Sequence, residues 1–355
     1  MGCLLLSCSS KHPLLFKLTL FGVALAIVVV VLGAFTRLVD AGLGCPDWPG
    51  CYGHLLWPNT QQEIIQAEVA FPDAPVELDK TWPEMVHRYF AGTLGLLILG
   101  VTLTALRKRS LIGTASNYDA VPIKLPLLLL VLVIIQALFG MWTVTLKLWP
   151  QIVTAHLLGG FATLSLLWLL NQRLSGIVWQ LEQPQLQALQ RLRPAVVVCL
   201  LLVIAQITLG GWTSSNYAAL ACPDLPTCLG RWLPPMDFSS GFNIFQDVGP
   251  NYLGGLLDNH ARTAIHFTHR SGALVVTCAL IGLGVSLYRT HIPAARFLVL
   301  ILWGILLIQI CLGLSNIIWA LPLFVAVAHN AIGAVLLLVM VTLCHRIFGA
   351  TTRSS

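Results

Sequence analysis

The sequence predicts an all-α integral membrane protein with eight transmembrane helices, arranged as two parallel-repeat four-helix bundles. Three observations predict it: an apolar composition, eight long apolar runs and an internal duplication. Of 355 residues, 57% are hydrophobic and only 10% carry charge, against roughly 25% charged in soluble domains. A spanning helix needs about 20 consecutive apolar residues. Such runs occupy 15–36, 84–106, 124–145, 152–172, 194–213, 263–288, 295–315 and 322–345. None alternates with period two, which excludes a β-barrel.

The net charge of +6 suggests nucleic acid until its distribution is read. With the N-terminus inside, Lys11, Lys17, Arg107, Lys108, Arg109, Lys124, Arg173, Arg191, Arg193, Arg289, Arg296, Arg346 and Arg353 all fall on the cytoplasmic side. Only Asp119 and Glu182 join them there as acids. This positive-inside asymmetry puts both termini in the cytoplasm and makes lipid, not nucleic acid, the partner of the basic residues. The expected organisation is a cytoplasmic tail (1–14), an N-terminal bundle (15–172), a cytoplasmic linker (173–193), a C-terminal bundle (194–345) and a second cytoplasmic tail (346–355). Arg37 and Asp40 follow the first run directly, with no small-residue cleavage site, so that run reads as a retained span. Cys3 and Cys8 lack the preceding apolar stretch of a lipidation signal.

The duplication is explicit. Residues 32–58, LGAFTRLVDAGLGCPDWPGCYGHLLWP, resemble 209–235, LGGWTSSNYAALACPDLPTCLGRWLPP. His87-Arg88 is answered by His269-Arg270, and the stretch from Gln136 to His156 by that from Gln309 to His329, with Gly140 matching Gly313. Each repeat holds four spans, an even number, so the halves cross in the same direction. Antiparallel four-helix bundles hold cofactors between facing helices.

Among the ten histidines, His87, His156, His269 and His329 lie inside spans at matched places in the two halves. Ionisable groups at that depth are costly and mark function. All four stand on even-numbered spans at one depth near the outer ends, two in each half. Two imidazoles on opposite sides of an iron porphyrin make a six-coordinate haem, so each half reads as a bis-histidine site. Small residues beside the ligands, Gly159, Gly160, Gly272 and Gly333, are expected to let a flat ring approach. Zinc fits poorly, since neither half supplies a third strong ligand. Copper is disfavoured by only five methionines.

Glu84 stands three residues before His87 on the same helical face, and its repeat counterpart is His266. It reads either as a catalytic carboxylate or as a first-turn acid favoured by the helix dipole. Arg88 and Arg270 read either as forks for haem propionates or as snorkelling side chains. The cysteines of Cys45-Pro-Asp-Trp-Pro-Gly-Cys51 and Cys222-Pro-Asp-Leu-Pro-Thr-Cys228 are expected to close two outer disulfides, structural or redox-active. Cys199, Cys278, Cys311 and Cys344 are expected as packing residues. Most outer tryptophans, Trp212 among them, are expected in an interfacial belt.

Taken together, Thr36-Arg37 before GLGCPDWPGCYG, Glu84-Met-Val-His87-Arg88, Ala155-His156, His269-Arg270-Ser-Gly and Ala328-His329-Asn resemble the haem A synthase family across all eight spans. The resemblance implies an oxidoreductase acting on a CH group: the C8 methyl of haem O becomes the formyl group of haem A by successive hydroxylations, for cytochrome oxidase. It implies Glu84 as the catalytic acid and His87 and His156 as axial ligands of the substrate haem O. His269 and His329 would then be the iron ligands of a haem b cofactor. Expected partners are the bilayer, a haem O synthase, a quinone or other electron acceptor, and further copies of the chain. The expected location is a bacterial inner membrane, with the haem sites toward the periplasm. A non-enzymatic dihaem cytochrome and a histidine-relay transporter are the competing readings.

Overall fold

The computed structural model describes residues 12–112 and 122–353. Cys3, Cys8, Lys11 and Asp119 lie outside them. Eight described helices are long and apolar enough to cross a membrane. They are α1 (Pro13–Leu38), α3 (Leu78–Ile112), α4 (Lys124–Thr145), α5 (Pro150–Ser175), α7 (Arg193–Ser215), α9 (Asn259–Tyr288), α10 (Pro293–Ile318) and α11 (Leu323–Phe348). Proline opens the first turn of α1, α5, α7 and α10, where no helical N–H is lost and φ is already set. Three short helices stand outside the spans: α2 (Gln61–Ala70), α6 (Gln183–Arg191) and α8 (Phe238–Gly241). The Thr60 hydroxyl and the Glu63 carboxylate close a reciprocal capping box at the start of α2.

The observed spans match the apolar runs, with one instructive difference. The α3 helix begins at Leu78, a turn and a half before the run at 84–106, and carries Pro83 inside it. At 1.5 Å per residue its 35 residues reach about 50 Å, beyond a hydrocarbon core of roughly 30 Å. Its polar first turns therefore stand among the loops, where proline near a helix start costs little.

Helix pairing repeats between the halves. In the first half α1 packs on α3 and α5, and α4 on α3 and α5. In the second, α7 packs on α9 and α11, and α10 on α9 and α11. Each half is thus a closed ring of four helices. The rings meet through α1 with α11, α5 with α7, and α5 with α11. Gly211 brings α7 onto α5, since a Cβ there would stand 2.8 Å from Leu157 Cδ2. Polar side chains add one contact between the rings and one within the first. Trp168 Nε1 donates to Thr342 Oγ1 at 2.7 Å, and Asn171 Nδ2 donates to Thr19 Oγ1 at 2.9 Å. At the end opposite the disulfides, β1 (Gln180–Leu181) pairs in parallel with β2 (Thr351–Thr352), tying the linker to the C-terminal segment.

Two sequence expectations change. Cys278 and Cys311 are exposed on the bundle surface, whereas Cys199 is buried as expected. Trp212 is buried, and its Nε1 donates to Gly241 O at 2.8 Å, so it packs inside the protein and not in an interfacial belt.

At the disulfide end, the halves cross-link through equivalent positions of the repeat. Arg37 donates to Ser214 O at 2.6 Å, pairs with Asp40 at 3.1 Å and lies 4.1 Å over the Tyr217 ring. Tyr217 in turn donates to Asp40 at 2.7 Å. Arg37→Ala removes a charged hydrogen bond and a cation–π contact together, an expected loss of about 2–3 kcal/mol. Unfolding in detergent measures it, and an unchanged midpoint would show that this contact does not hold the halves together.

Candidate functional site

The helix pairing brings the four intramembrane histidines together in two pairs. His87 stands on α3 and His156 on α5, His269 on α9 and His329 on α11, each in the second or third turn of its helix. All four helices start from the disulfide end, so the pairs share one level. The rings of His87 and His156 have centroids 6.4 Å apart at an interplanar angle of 87°. Two imidazoles bound to one metal ion by bonds of about 2 Å put their centres roughly 6 Å apart, so the spacing suits a single iron.

Each imidazole sits in a notch on the helix preceding its own. A Cβ on Gly33 would stand 2.9 Å from His87 Cε1, and one on Gly140 3.5 Å from His156 Cε1. The corresponding distances are 3.2 Å from Gly210 to His269 and 3.1 Å from Gly313 to His329. These notches were missed at the sequence level, although Gly33 and Gly210, and Gly140 and Gly313, recur in the duplication. The glycines named from the sequence have other protein neighbours. Gly159, Gly272 and Gly333 face Gln136, Gln206 and Gln309 respectively, and Gly160 faces open space.

Nδ1 of His87, His156 and His329 is buried without a hydrogen bond of normal geometry. That of His269 meets Gln206 Nε2 at 3.1 Å. An imidazole is costly in an apolar interior, and metal ligation through one of its ring nitrogens is an ordinary reason to keep it there. No group of three or more His, Cys, Asp or Glu that could hold a metal occurs among the described residues. The donor set is therefore paired imidazoles, which fits haem iron.

The outer loops clamp onto the same helices. Cys45–Cys51 and Cys222–Cys228 are disulfides with Cα atoms 4.8 and 4.7 Å apart. Asp47 accepts from the amides of Tyr52 (2.6 Å) and Gly53 (2.9 Å); Asp224 does the same for Leu229 (2.6 Å) and Gly230 (3.0 Å). The Thr227 hydroxyl and then the Gly230 amide hold the Asp224 carboxyl below its ordinary range. Tyr52 donates to Pro75 O at 2.9 Å; burial, followed by nearby carboxylates, pushes its phenol up to about 12. Gly44 is required because a Cβ there would lie 2.6 Å from the Lys80 carbonyl carbon on α3.

Glu84 and His266 perform the same mechanical task with different charge. Glu84 Oε2 accepts from Cys45 N at 2.9 Å, and His266 Nδ1 accepts from Cys222 N at 3.1 Å. Glu84 is 5% exposed and also ion-paired with Arg88. Lying inside α3, beyond its first turn, it latches the loop and does not cap the helix. Arg88 donates to the carbonyls of Asp47 (3.0 Å) and Gly50 (2.5 Å), and Arg270 to those of Asp224 and Thr227 (both 3.0 Å). Both arginines hold the carbonyls of their own loop.

The cytochrome oxidase assembly protein family COX15-CtaA matches residues 17–341. The protein named heme A synthase from Shewanella oneidensis is 44% identical over 335 residues, covering 93% of this chain and 95% of that protein. Proteins of the same name from Halalkalibacterium halodurans and Caulobacter vibrioides are 25% and 26% identical over 93% and 91% of this chain, and over 95% and 93% of their own lengths. The chain belongs to the COX15-CtaA family of cytochrome oxidase assembly proteins.

Proposed function

We propose that this protein is a haem A synthase of the bacterial inner membrane, converting the C8 methyl of haem O into the formyl group of haem A. The observation that carries the reading is a duplicated pair of histidine sites in which only one half adds a buried carboxylate. Each hydroxylation takes two electrons from the methyl carbon, and the geminal diol formed by the second loses water to leave the aldehyde. His87 and His156 hold the substrate haem O, with their imidazoles seated on Gly33 and Gly140. His269 and His329 hold the iron of a haem b, which supplies one-electron transfer toward a quinone or other acceptor. The termini face the cytoplasm and the disulfide end faces the periplasm, following the basic-residue asymmetry.

Glu84 stands one helical turn from His87, fixed by Cys45 N and Arg88. A carboxylate held in a site that excludes water stabilises positive charge developing on a nearby carbon and can take up its proton. His266 offers the C-terminal half no such negative charge. A dihaem electron carrier would use the same four ligands but would give that carboxylate no part.

Cells supplied with haem O and expressing the wild-type protein are expected to yield hydroxylated and formylated haem on extraction and mass analysis; their absence under competent conditions would overturn the assignment. In Glu84→Gln the amide oxygen can still accept from Cys45 N, so the loop stays latched and only the charge goes. This variant is expected to keep haem at His269 and His329 while substrate oxidation falls at least a hundredfold, within the range of acid–base groups. Full activity would remove Glu84 from the chemistry.

The notches give a graded test of how the substrate haem is held. Gly33→Ala forces His87 to move, at about 1–3 kcal/mol of overpacking, and is expected to lower haem O occupancy. Gly140→Ala meets His156 at ordinary contact distance and should leave occupancy near wild type. Haem per protein by visible absorption reads both.

A further inference from the structure

The contacts around the four histidines are not equivalent. Three of the four notch glycines are preceded by a glutamine one turn earlier on the same helix: Gln136 before Gly140, Gln206 before Gly210 and Gln309 before Gly313. Each glutamine reaches across to a glycine one turn beyond the histidine it faces: Gly159, Gly272 and Gly333. At His87 both members of this pair are replaced, Val29 standing where Gln206 is and Phe90 where Gly272 is.

The contact is most developed at His269. Gln206 Nε2 lies 3.1 Å from its Nδ1 and donates to its backbone carbonyl at 2.9 Å, holding both ring and helix. Gln309 Nε2 also touches its histidine, at 3.3 Å from His329 Nε2. Among the described residues, no side-chain amide contact of this kind reaches His87 or His156; His87 instead meets the backbone of Val29, which packs against the hydrophobic core.

We infer that Gln206 is the positioning residue of His269. The argument rests on the ligand division proposed above. A polar partner at Nδ1 fixes the ring's orientation and raises its basicity toward a metal on Nε2. With the metal on Nε2 the ring carries its proton on Nδ1, and the Gln206 amide, turned over, presents Oε1 to that proton. A haem that stays through many turnovers needs a fixed ligand, whereas one that arrives as substrate and leaves as product needs a ligand that can let go.

The test uses full-length protein carrying His87→Ala, so that the remaining haem is that of the C-terminal pair. Adding Gln206→Leu is expected to speed haem transfer to a scavenging apoprotein at least tenfold, the scale of lost outer-shell partners. It should also raise the midpoint potential, because a less basic ligand stabilises the oxidised iron less. Gln206→Glu keeps the size and reach, and is expected to restore retention while moving the potential downward; this arm carries the test if the leucine variant does not fold. Unchanged release and potential in both variants would overturn the inference while leaving the enzyme assignment intact. A His87→Ala protein that holds no haem at all would overturn both, because no resident site would then exist.

Discussion

Holding an imidazole inside an apolar bundle is the constraint from which the rest of this structure follows. A ring nitrogen in hydrocarbon has no water to turn to, so its surroundings must supply a metal or a partner. The chain meets that demand by letting a neighbouring helix come close enough to seat the ring. Gly33, Gly210 and Gly313 seat three of the rings where a side chain would collide or crowd, and Gly140 meets the fourth at ordinary contact distance. Close helix approach through small residues is the ordinary means of packing in a membrane; here the gap it leaves is filled by a ligand side chain.

Duplication then supplies two copies of one scaffold, and the differences between them carry the chemistry. The loop latch is geometrically conserved between Glu84 and His266, since each accepts from the first cysteine amide of its loop. Charge differs, and so does the support behind the outer histidine, with Val29 and Phe90 in one half against Gln206 and Gly272 in the other. Both departures fall on α3, the helix bearing Glu84 and His87, or on α1, which packs directly against it. On the proposed reading this concentrates reactivity beside His87.

Much of this was legible in the sequence because bilayer thickness and charge asymmetry act on composition directly. Lys124 bounds an apolar run whose ends coincide with α4. The start of α3 was not legible, because Leu78–Pro83 is polar and contains a proline, and only the packed loop shows it to be helical. The start of α2 could have been read from Thr60 and Glu63, whose spacing is that of a capping box. Histidine depth and pairing follow from counting spans, but which glycine faces which ring depends on helix rotation. Helices apolar all round, such as α4 and α10, leave that rotation undetermined by pattern. The glutamines were visible as rare polar residues in apolar runs, each one turn before a repeated glycine, and that spacing was the unused signal.

The order of contacts between the rings gives the two sites distinct neighbourhoods. The helices carrying His156 and His329, α5 and α11, pack against each other at the centre of the molecule, whereas among the described residues α3 and α9 make their main contacts with helices of their own half. Each pair therefore joins one inner ligand, shared with the interface, to one outer ligand on a helix bound to a disulfide loop. Moving an inner helix would disturb both halves, because α5 also meets α7 and α11 also meets α1. Moving an outer helix disturbs only its own ring and its own loop. A site that must take in and release a flat, bulky molecule can thus open at the outer ligand without changing the separation between sites, which the inner helices set. The disulfide loop, held by Glu84 and Arg88 to the second and third turns of that outer helix, is placed to move with it, so that the group proposed to stabilise charge is positioned by the same contact that holds the loop.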